Sequence, residues 1–292
     1  MSLPRFFLDE QVLGAETASE FPLRLSRDDT KHARVLRLKA GEHAAVVDAS
    51  KDYFEVEFVS FDGDLPVVSI ARHLDAPDFG PRVVLFQGLA KGDKMETVIR
   101  HATEVGVSGF VPLACKRSIM KIDRKKADSK LERWQAIAKS AAMQSGQPDI
   151  PEVMEPCSVK EAYSLLSSFD AVLVCWEEAP ATAGISQALS VVCQSTDASY
   201  RASVAIVVGP EGGLDELEVQ DLLACNPHAC LVTLGPSILR TETAGIVAPA
   251  LVLYELGGMG RLHAQRDDAK IASEPYLTPD SPVSAFHDEV RL

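Results

Sequence analysis

The chain has 292 residues and a mass of 31.5 kDa, with 46% apolar and 24% charged residues, a balance that excludes a disordered chain and a staple-dependent miniprotein. Its formal net charge of −13 argues against a nucleic-acid partner by its sum, but not by its distribution. Met1 to Ile150 carries 22 Lys and Arg against 22 Asp and Glu, Pro151 to Leu292 carries 7 against 20, and Arg82 to Lys139 alone carries 13 against 6, so an acidic protein can still present a basic face.

From Phe6 to about Leu74, short apolar runs are broken by turn residues: Ala44 to Asp48, Tyr53 to Phe61, and Leu65 to Ala71 after Asp62-Gly63-Asp64. Period-two alternation at Phe54, Val56 and Phe58, and at Val67, Ser69 and Ala71, predicts a small antiparallel β domain over residues 1–75. One short helix is expected over Asp28 to Leu38, carrying Lys31, Arg34 and Arg37. The Pro/Gly/Asp stretch 76–81 reads as a linker.

Beyond it, strands and helices alternate. Strands are expected at Val83 to Leu89, Phe110 to Leu113, Ala171 to Trp176, Val204 to Val208 and Cys230 to Leu234. Helices are expected at Met95 to Val105, Ser129 to Gln144, Ile185 to Cys193, Asp215 to Ala224 and Glu242 to Leu256. Continuous apolar strands alternating with amphipathic helices predict an α/β domain over 82–258, built on a parallel sheet covered on both faces. Residues 259–292, polar and interrupted by Pro275, Pro279 and Pro282, read as a flexible C-terminal tail without chemistry. The six cysteines (Cys115, Cys157, Cys175, Cys193, Cys225, Cys230) lack zinc spacing, which predicts free thiols and no metal. No run approaches the roughly eighteen uncharged apolar residues of a membrane helix, and Met1 to Arg24 has no apolar signal core. A cytoplasmic protein is expected.

Ligands of open α/β sheets bind beyond the carboxyl ends of the strands. Two loops at such ends stand out. Gly209-Pro210-Glu211-Gly212-Gly213 follows one strand and precedes a helix; glycines permit positive φ and close backbone approach to a ligand, or serve only a tight connection. Leu234-Gly235-Pro236-Ser237-Ile238-Leu239-Arg240-Thr241-Glu242-Thr243-Ala244 follows the next strand, and Thr241 is placed to cap the helix after it, with Arg240 solvated. Neither loop carries G-K-[ST] or G-x-G-x-x-G, which places a kinase or dinucleotide-dependent dehydrogenase last among the alternatives.

In order and spacing these loops resemble the signature of the SPOUT class of RNA methyltransferases, and most closely the bacterial 16S ribosomal RNA uridine-N3 methyltransferase family. Lys91-Gly92-Asp93-Lys94-Met95-Glu96, Glu104-Val105-Gly106-Val107, Arg133-Trp134-Gln135 and Arg34-Val35-Leu36-Arg37 extend the resemblance over roughly Arg5 to Leu256. It implies a PUA-like β-barrel in front, an α/β domain containing a trefoil knot, and a homodimer. The implied reaction is S-adenosylmethionine-dependent methylation of N3 of one uridine, uracil-1498, in 16S rRNA of the small ribosomal subunit. Carried over by position, Gly209, Glu211, Gly212 and Gly213 form one wall of the cofactor site. Leu234, Gly235, Ile238 and Leu239 form another, and Cys175, Trp176 and Glu177 complete it.

N3 of uracil must lose its proton, and a guanidinium aimed at the resulting anion would stabilise it. Arg240 is the candidate, with Glu242 orienting it or helping to move the proton; a purely structural Arg240 to Glu242 contact is the alternative. RNA contact falls to Arg34, Arg37, Lys91, Lys94, Lys116, Arg117, Lys121 and Arg124, whose phosphate contacts would give affinity with little sequence choice. The chain departs from the family pattern at Met143 and Gln147, where an acidic and a basic residue are usual, and in its tail after Gly258. The rival readings are a related methyltransferase acting on another RNA or on a ribose hydroxyl, and a non-catalytic RNA-binding ribosome assembly factor of the same fold.

Overall fold

The computed structural model describes residues 3–63, 65–120, 124–193 and 201–259, with the side chains of 124–126 outside that description. Residues 260–292 of the expected tail and Lys121 lie outside the described residues.

The N-terminal part is a five-stranded sheet of β1 (Arg5–Phe7), β2 (Phe21–Pro22), β3 (His43–Val47), β4 (Tyr53–Asp62) and β5 (Leu65–Leu74), in the order β1-β3-β4-β5-β2. It is not wholly antiparallel as expected: β1 runs parallel to β3. The strands β1 and β2 are too short to show a period. Phe54, Val56 and Phe58 are buried in alternation, while on β5 the buried residues are Pro66 and Val68, and Val67 and Ser69 are half-buried. Bulges at Glu55/Val56 and Phe58/Ser60 shift the β4–β5 register, and a one-residue slip exchanges the two faces of a strand. Helix α1 (Arg27–Leu36) is capped by Ser26, whose hydroxyl accepts the Asp29 N–H, and ends at Arg37 with φ 55°.

The second sheet is entirely parallel. Its strands are β6 (Arg82–Gly88), β7 (Gly109–Ala114), β8 (Glu152–Val153), β9 (Cys157–Ser158), β10 (Ala171–Cys175), β11 (Ser203–Val208) and β12 (Ala229–Val232). Their order is β12-β10-β11-β6-β7-β8, with β9 also on β7. Seven helices accompany the two sheets: α1 above, then α2 (Lys94–Val105), α3 (Arg124–Ser145), α4 (Val159–Leu166), α5 (Ile185–Leu189), α6 (Glu216–Ala224) and α7 (Thr241–Glu255) among the described residues.

Strand alternation divides this core in two. Val83, Leu85, Leu173, Val204 and Ile206 pack against α2, α3, α5 and α7. Val84, Phe86, Val172, Val174, Ala205 and Val207 pack against α4 and α6. Both faces are covered, as the continuous apolar strands imply. All six cysteines are free thiols, and burial pushes Cys115 and Cys175 up to about 12.

Helix α3 joins the two sheets. Trp134 and Ala138 sit in the α/β core, while Ala142 and Met143 sit in the core of the N-terminal sheet. This explains the departure at Met143: a charge there would be buried among Phe and Val side chains without a partner. Gln147 donates to the Glu104 carbonyl, and its own carbonyl accepts from Arg5.

Candidate functional site

The carboxyl ends of β10, β11 and β12 converge on a cleft of about 430 Å³, within the range of small-molecule sites. Trp176 and Glu177 enter from β10, Gly209 to Gly213 from β11, and Thr233 to Arg240 from β12. Of the eleven residues expected at the cofactor site, ten line this cleft: Cys175, Trp176, Glu177, Gly209, Glu211, Gly213, Leu234, Gly235, Ile238 and Leu239. Gly212 instead lies against Arg117, whose carbonyl oxygen would be 3.0 Å from a Cβ at Gly212. Two of the glycines lining the cleft have positive φ: Gly213 (71°), where a Cβ would meet the Glu177 carboxylate, and Gly235 (118°), which faces open space.

The two glycine-bearing loops are tied together by a residue that the sequence suggested was a cap. The N-cap of α7 is Arg240, without a side-chain cap bond. Thr241 is the first helical residue; its hydroxyl donates to the Gly209 carbonyl at 2.6 Å and accepts from Gln87 Nε2 at 2.8 Å. Gln87, on β6 and 1% exposed, is one site residue that sequence reading missed. A buried glutamine inside an apolar strand was the available signal. Gly88, next along β6, lets the backbone of Pro210 approach so closely that a Cβ would sit 2.3 Å from the Pro210 nitrogen.

Lys94 lines the cleft. Its ammonium lies 3.2 Å from Glu211 Oε1 and 3.1 Å from Glu242 Oε2, and the Lys91 N–H donates to Glu211 at 2.9 Å. Three chain segments, at 91–94, 211 and 242, thus meet through one cation. The expected Arg240 to Glu242 contact is replaced by the Lys94 to Glu242 pair. Arg240 is exposed and makes no ion pair among the described residues.

Burial pushes the Glu242 carboxyl up, but its own backbone N–H, then Lys94 and then Arg240 outweigh this and hold it below the usual carboxylate range. Glu211 is lowered in the same way against burial, by the backbone N–H groups of Lys91 and Glu211 itself and then by Lys94. Lys94 is raised, chiefly by its bond to Glu242. Depressed carboxylates contribute stability above their unfolded pKa of about 4.3, lost as pH falls through their folded values; a raised lysine contributes below about 10.4, lost as pH climbs past its folded value. The difference in Tm between wild type and Lys94→Met is therefore expected to be steady from about pH 6 to 9 and to shrink below about pH 4. A difference that drifts through neutrality would contradict this assignment.

The other basic candidates are divided. Lys116 pairs with Asp215 at 3.0 Å, and Arg117 donates to the Gly212 carbonyl, so both brace the glycine-rich loop while remaining exposed. Lys91, Arg34 and Arg37 are exposed. The Arg124 side chain lies outside the described residues. Among the described residues no cluster of His, Cys, Asp or Glu could hold a metal ion, and no helix is long and apolar enough to cross a membrane.

A parallel sheet with glycine-bearing loops closing a cleft at its carboxyl edge is the framework of an RNA methyltransferase domain, and residues 79–253 match the family so described. Ribosomal RNA small subunit methyltransferase E of Bacillus subtilis is 34% identical over 87% of this chain and 97% of its own length. The protein of that name from Mycobacterium bovis is 33% identical over 68% of this chain and 70% of its own length. Among solved structures, a ribosomal RNA small subunit methyltransferase E from Neisseria gonorrhoeae bound to S-adenosyl methionine superposes with a TM-score of 0.67 at 26% identity, covering 86% of this chain and 97% of that one. A methyltransferase from Legionella pneumophila in complex with the same molecule gives 0.67 at 25% identity, covering 87% and 98%. The chain belongs to the RNA methyltransferase family and, within it, to the group of ribosomal RNA small subunit methyltransferase E proteins.

Proposed function

We propose that the protein is an S-adenosylmethionine-dependent methyltransferase of the SPOUT class that modifies N3 of a uridine in small-subunit ribosomal RNA, uracil-1498 of 16S rRNA. One observation carries this reading: an exposed guanidinium, Arg240, with no ion-pair partner among the described residues, lines a cleft formed by three loops. The cleft suits the cofactor. Gly235 faces open space where a side chain would intrude, and Glu177 and Glu211 line a volume that would receive a sulfonium and an amino group. Gly209, Glu211, Gly213, Leu234, Gly235, Ile238 and Leu239 would hold it, with Cys175, Trp176 and Glu177 at the end of β10, and Gly212 would support the loop from behind.

Bound there, S-adenosylmethionine supplies a methyl carbon activated by its sulfonium. The chain's own part is to hold the acceptor in line and to stabilise the charge that develops on it. Arg240 can present two N–H groups to a uracil oxygen and so favour the anion at N3. Glu242, ion-paired and held below the usual range, is a weak proton acceptor; its role in this reading is to anchor Lys94 and the start of α7 while solvent takes the proton.

The finer architecture belongs to the same proposal: a PUA-like barrel at 1–75, a linker at 76–81, a knotted domain at 82–258, and a cytoplasmic homodimer. Support for the knot comes from hydrogen bonds between the loops at the cleft: Thr241 donates to the Gly209 carbonyl and the Thr233 N–H to the Ala183 carbonyl. Support for the dimer comes from α7, an apolar helix that leaves Tyr254 72% and Leu251 42% exposed.

The test is transfer of labelled methyl to small ribosomal subunits from cells lacking the protein, with mass spectrometry of the digested nucleosides. Appearance of 3-methyluridine is the expected result. Cofactor binding with no methylated uridine on any RNA would point to a non-catalytic assembly factor, and a methylated ribose to a different acceptor.

A further inference from the structure

An ion pair far from the cleft has no part in the chemistry above. Lys139, near the C-terminal end of α3, reaches into the N-terminal part: its ammonium is 3.1 Å from Asp29 Oδ2 on α1 and 3.0 Å from Asp9 Oδ1. The Lys139 side chain is 19% exposed and that of Asp29 4%. Burial draws the Lys139 ammonium down, but Asp29 and Asp9 more than reverse this. Taking both charges out of water offsets much of their attraction, and a pair of this kind contributes little net stability. What it does impose is a defined geometry between α3 and α1.

That geometry matters because of what each helix carries. At its other end α3 is fixed to the α/β core by buried Trp134 and by Arg133, which pairs with Glu96 on α2 at 2.8 Å. The same α2 begins with Lys94, at the cleft. Helix α1 presents Lys31 and Arg34 to solvent, with the exposed Arg37 at its C-cap, and its buried face holds Asp29 and Ala33. The neighbouring contacts, Arg5 to the Gln147 carbonyl, Tyr53 to the Pro148 carbonyl and Lys51 to Asp149, hold β1, β4 and the turn before β4 instead.

We propose that Lys139 is a positioning residue for the RNA: through Asp29 it sets the basic helix α1 at a fixed distance from the cleft, so that RNA held by α1 presents its acceptor base at Arg240. This rests on the reading of the protein as an RNA methyltransferase. The misplacement expected on breaking the pair weakens productive RNA engagement and leaves the cofactor loops untouched.

The experiment compares wild type with Lys139→Met, Lys139→Arg and the double variant Lys139→Met/Asp29→Asn, which removes both charges and leaves no uncompensated carboxylate at Asp29. Expected in Lys139→Met and in the double variant is a KM for ribosomal RNA raised about tenfold, with kcat and calorimetric cofactor affinity unchanged; Lys139→Arg restores KM. Energy transfer between fluorophores on unnatural amino acids at Val35 of α1 and Leu217 of α6, both exposed, is expected to broaden in Lys139→Met. An unchanged KM in an active enzyme overturns the proposal, as does an unchanged distance distribution. So does a loss of kcat, KM and cofactor affinity together that follows Tm and is recovered in the double variant. Should wild type methylate no RNA, the reading of its function fails, and the distance measurement still decides whether Lys139 sets the geometry.

Discussion

Arg240→Ala is expected to lower the rate of methyl transfer about a hundredfold to a thousandfold, the usual loss when one preorganised donor to a developing anion is removed. Cofactor binding should be nearly unchanged in calorimetry. The cleft is lined by many residues besides Arg240, from the loops at Gly209 to Gly213 and Thr233 to Leu239 and from the end of β10, and Arg240 is exposed at its edge. The guanidinium is available because Glu242, the carboxylate two residues away, is taken by Lys94 at 3.1 Å. Arg240→Lys should recover only part of the loss, since an ammonium is a point charge and cannot offer two parallel N–H groups. A full rate in Arg240→Ala, with normal cofactor affinity, would remove Arg240 from the chemistry and leave it a helix-capping position.

Gly88→Ala is expected to destabilise the fold by about 3 kcal/mol, at the upper end for a methyl forced into packed surroundings. For a domain of this size that corresponds to a fall in Tm of roughly 6–12 °C. The added Cβ would lie 2.3 Å from the Pro210 nitrogen, 2.6 Å from its Cδ and 2.7 Å from the Gly209 carbonyl carbon. Backbone and a proline ring cannot rotate aside, so the glycine-rich loop must move away from β6, and the Gly209 carbonyl with it. That breaks the 2.6 Å bond from Thr241, and cofactor affinity should fall together with stability. Gly14→Ala is the control: its Cβ meets only Phe54 Cζ at 4.0 Å. Equal Tm values for Gly88→Ala and wild type in differential scanning calorimetry would show that the loop does not need this close approach.

Much of this architecture is legible without coordinates because it depends on local pattern. The apolar runs at Val83, Val204 and Ala171 specify buried parallel strands, and the glycine-rich turns after two such strands mark where a ligand site forms. Ten of the residues expected around the cofactor do line one cleft. The errors have physical causes of the opposite kind. The alternation at Val67, Ser69 and Ala71 marks a strand but not the buried positions of β5, where bulges in the pairing with β4 shift the register, and bulges leave no mark on composition. Strands of two or three residues such as β1, β2, β8 and β9 are too short for a period to show.

By itself, then, the sequence determined the two-part α/β organisation, the family, and the loops that build the cleft, because periodicity, turn chemistry and motif spacing are properties of neighbouring residues. Only the tertiary structure decided which side chains pair across the fold. Lys94 reads as one more surface cation until Glu211 and Glu242 converge on it. Thr241 reads as a cap until Gly209 and Gln87 are brought to its hydroxyl. Met143 reads as a lost charge until α3 carries it into the core of the other sheet. Lys139 reads as the last of a basic run until Asp29 closes on it. In each case the partner is remote in sequence, and the strength of a charge or a hydrogen bond depends on distance and burial, which chain order does not encode.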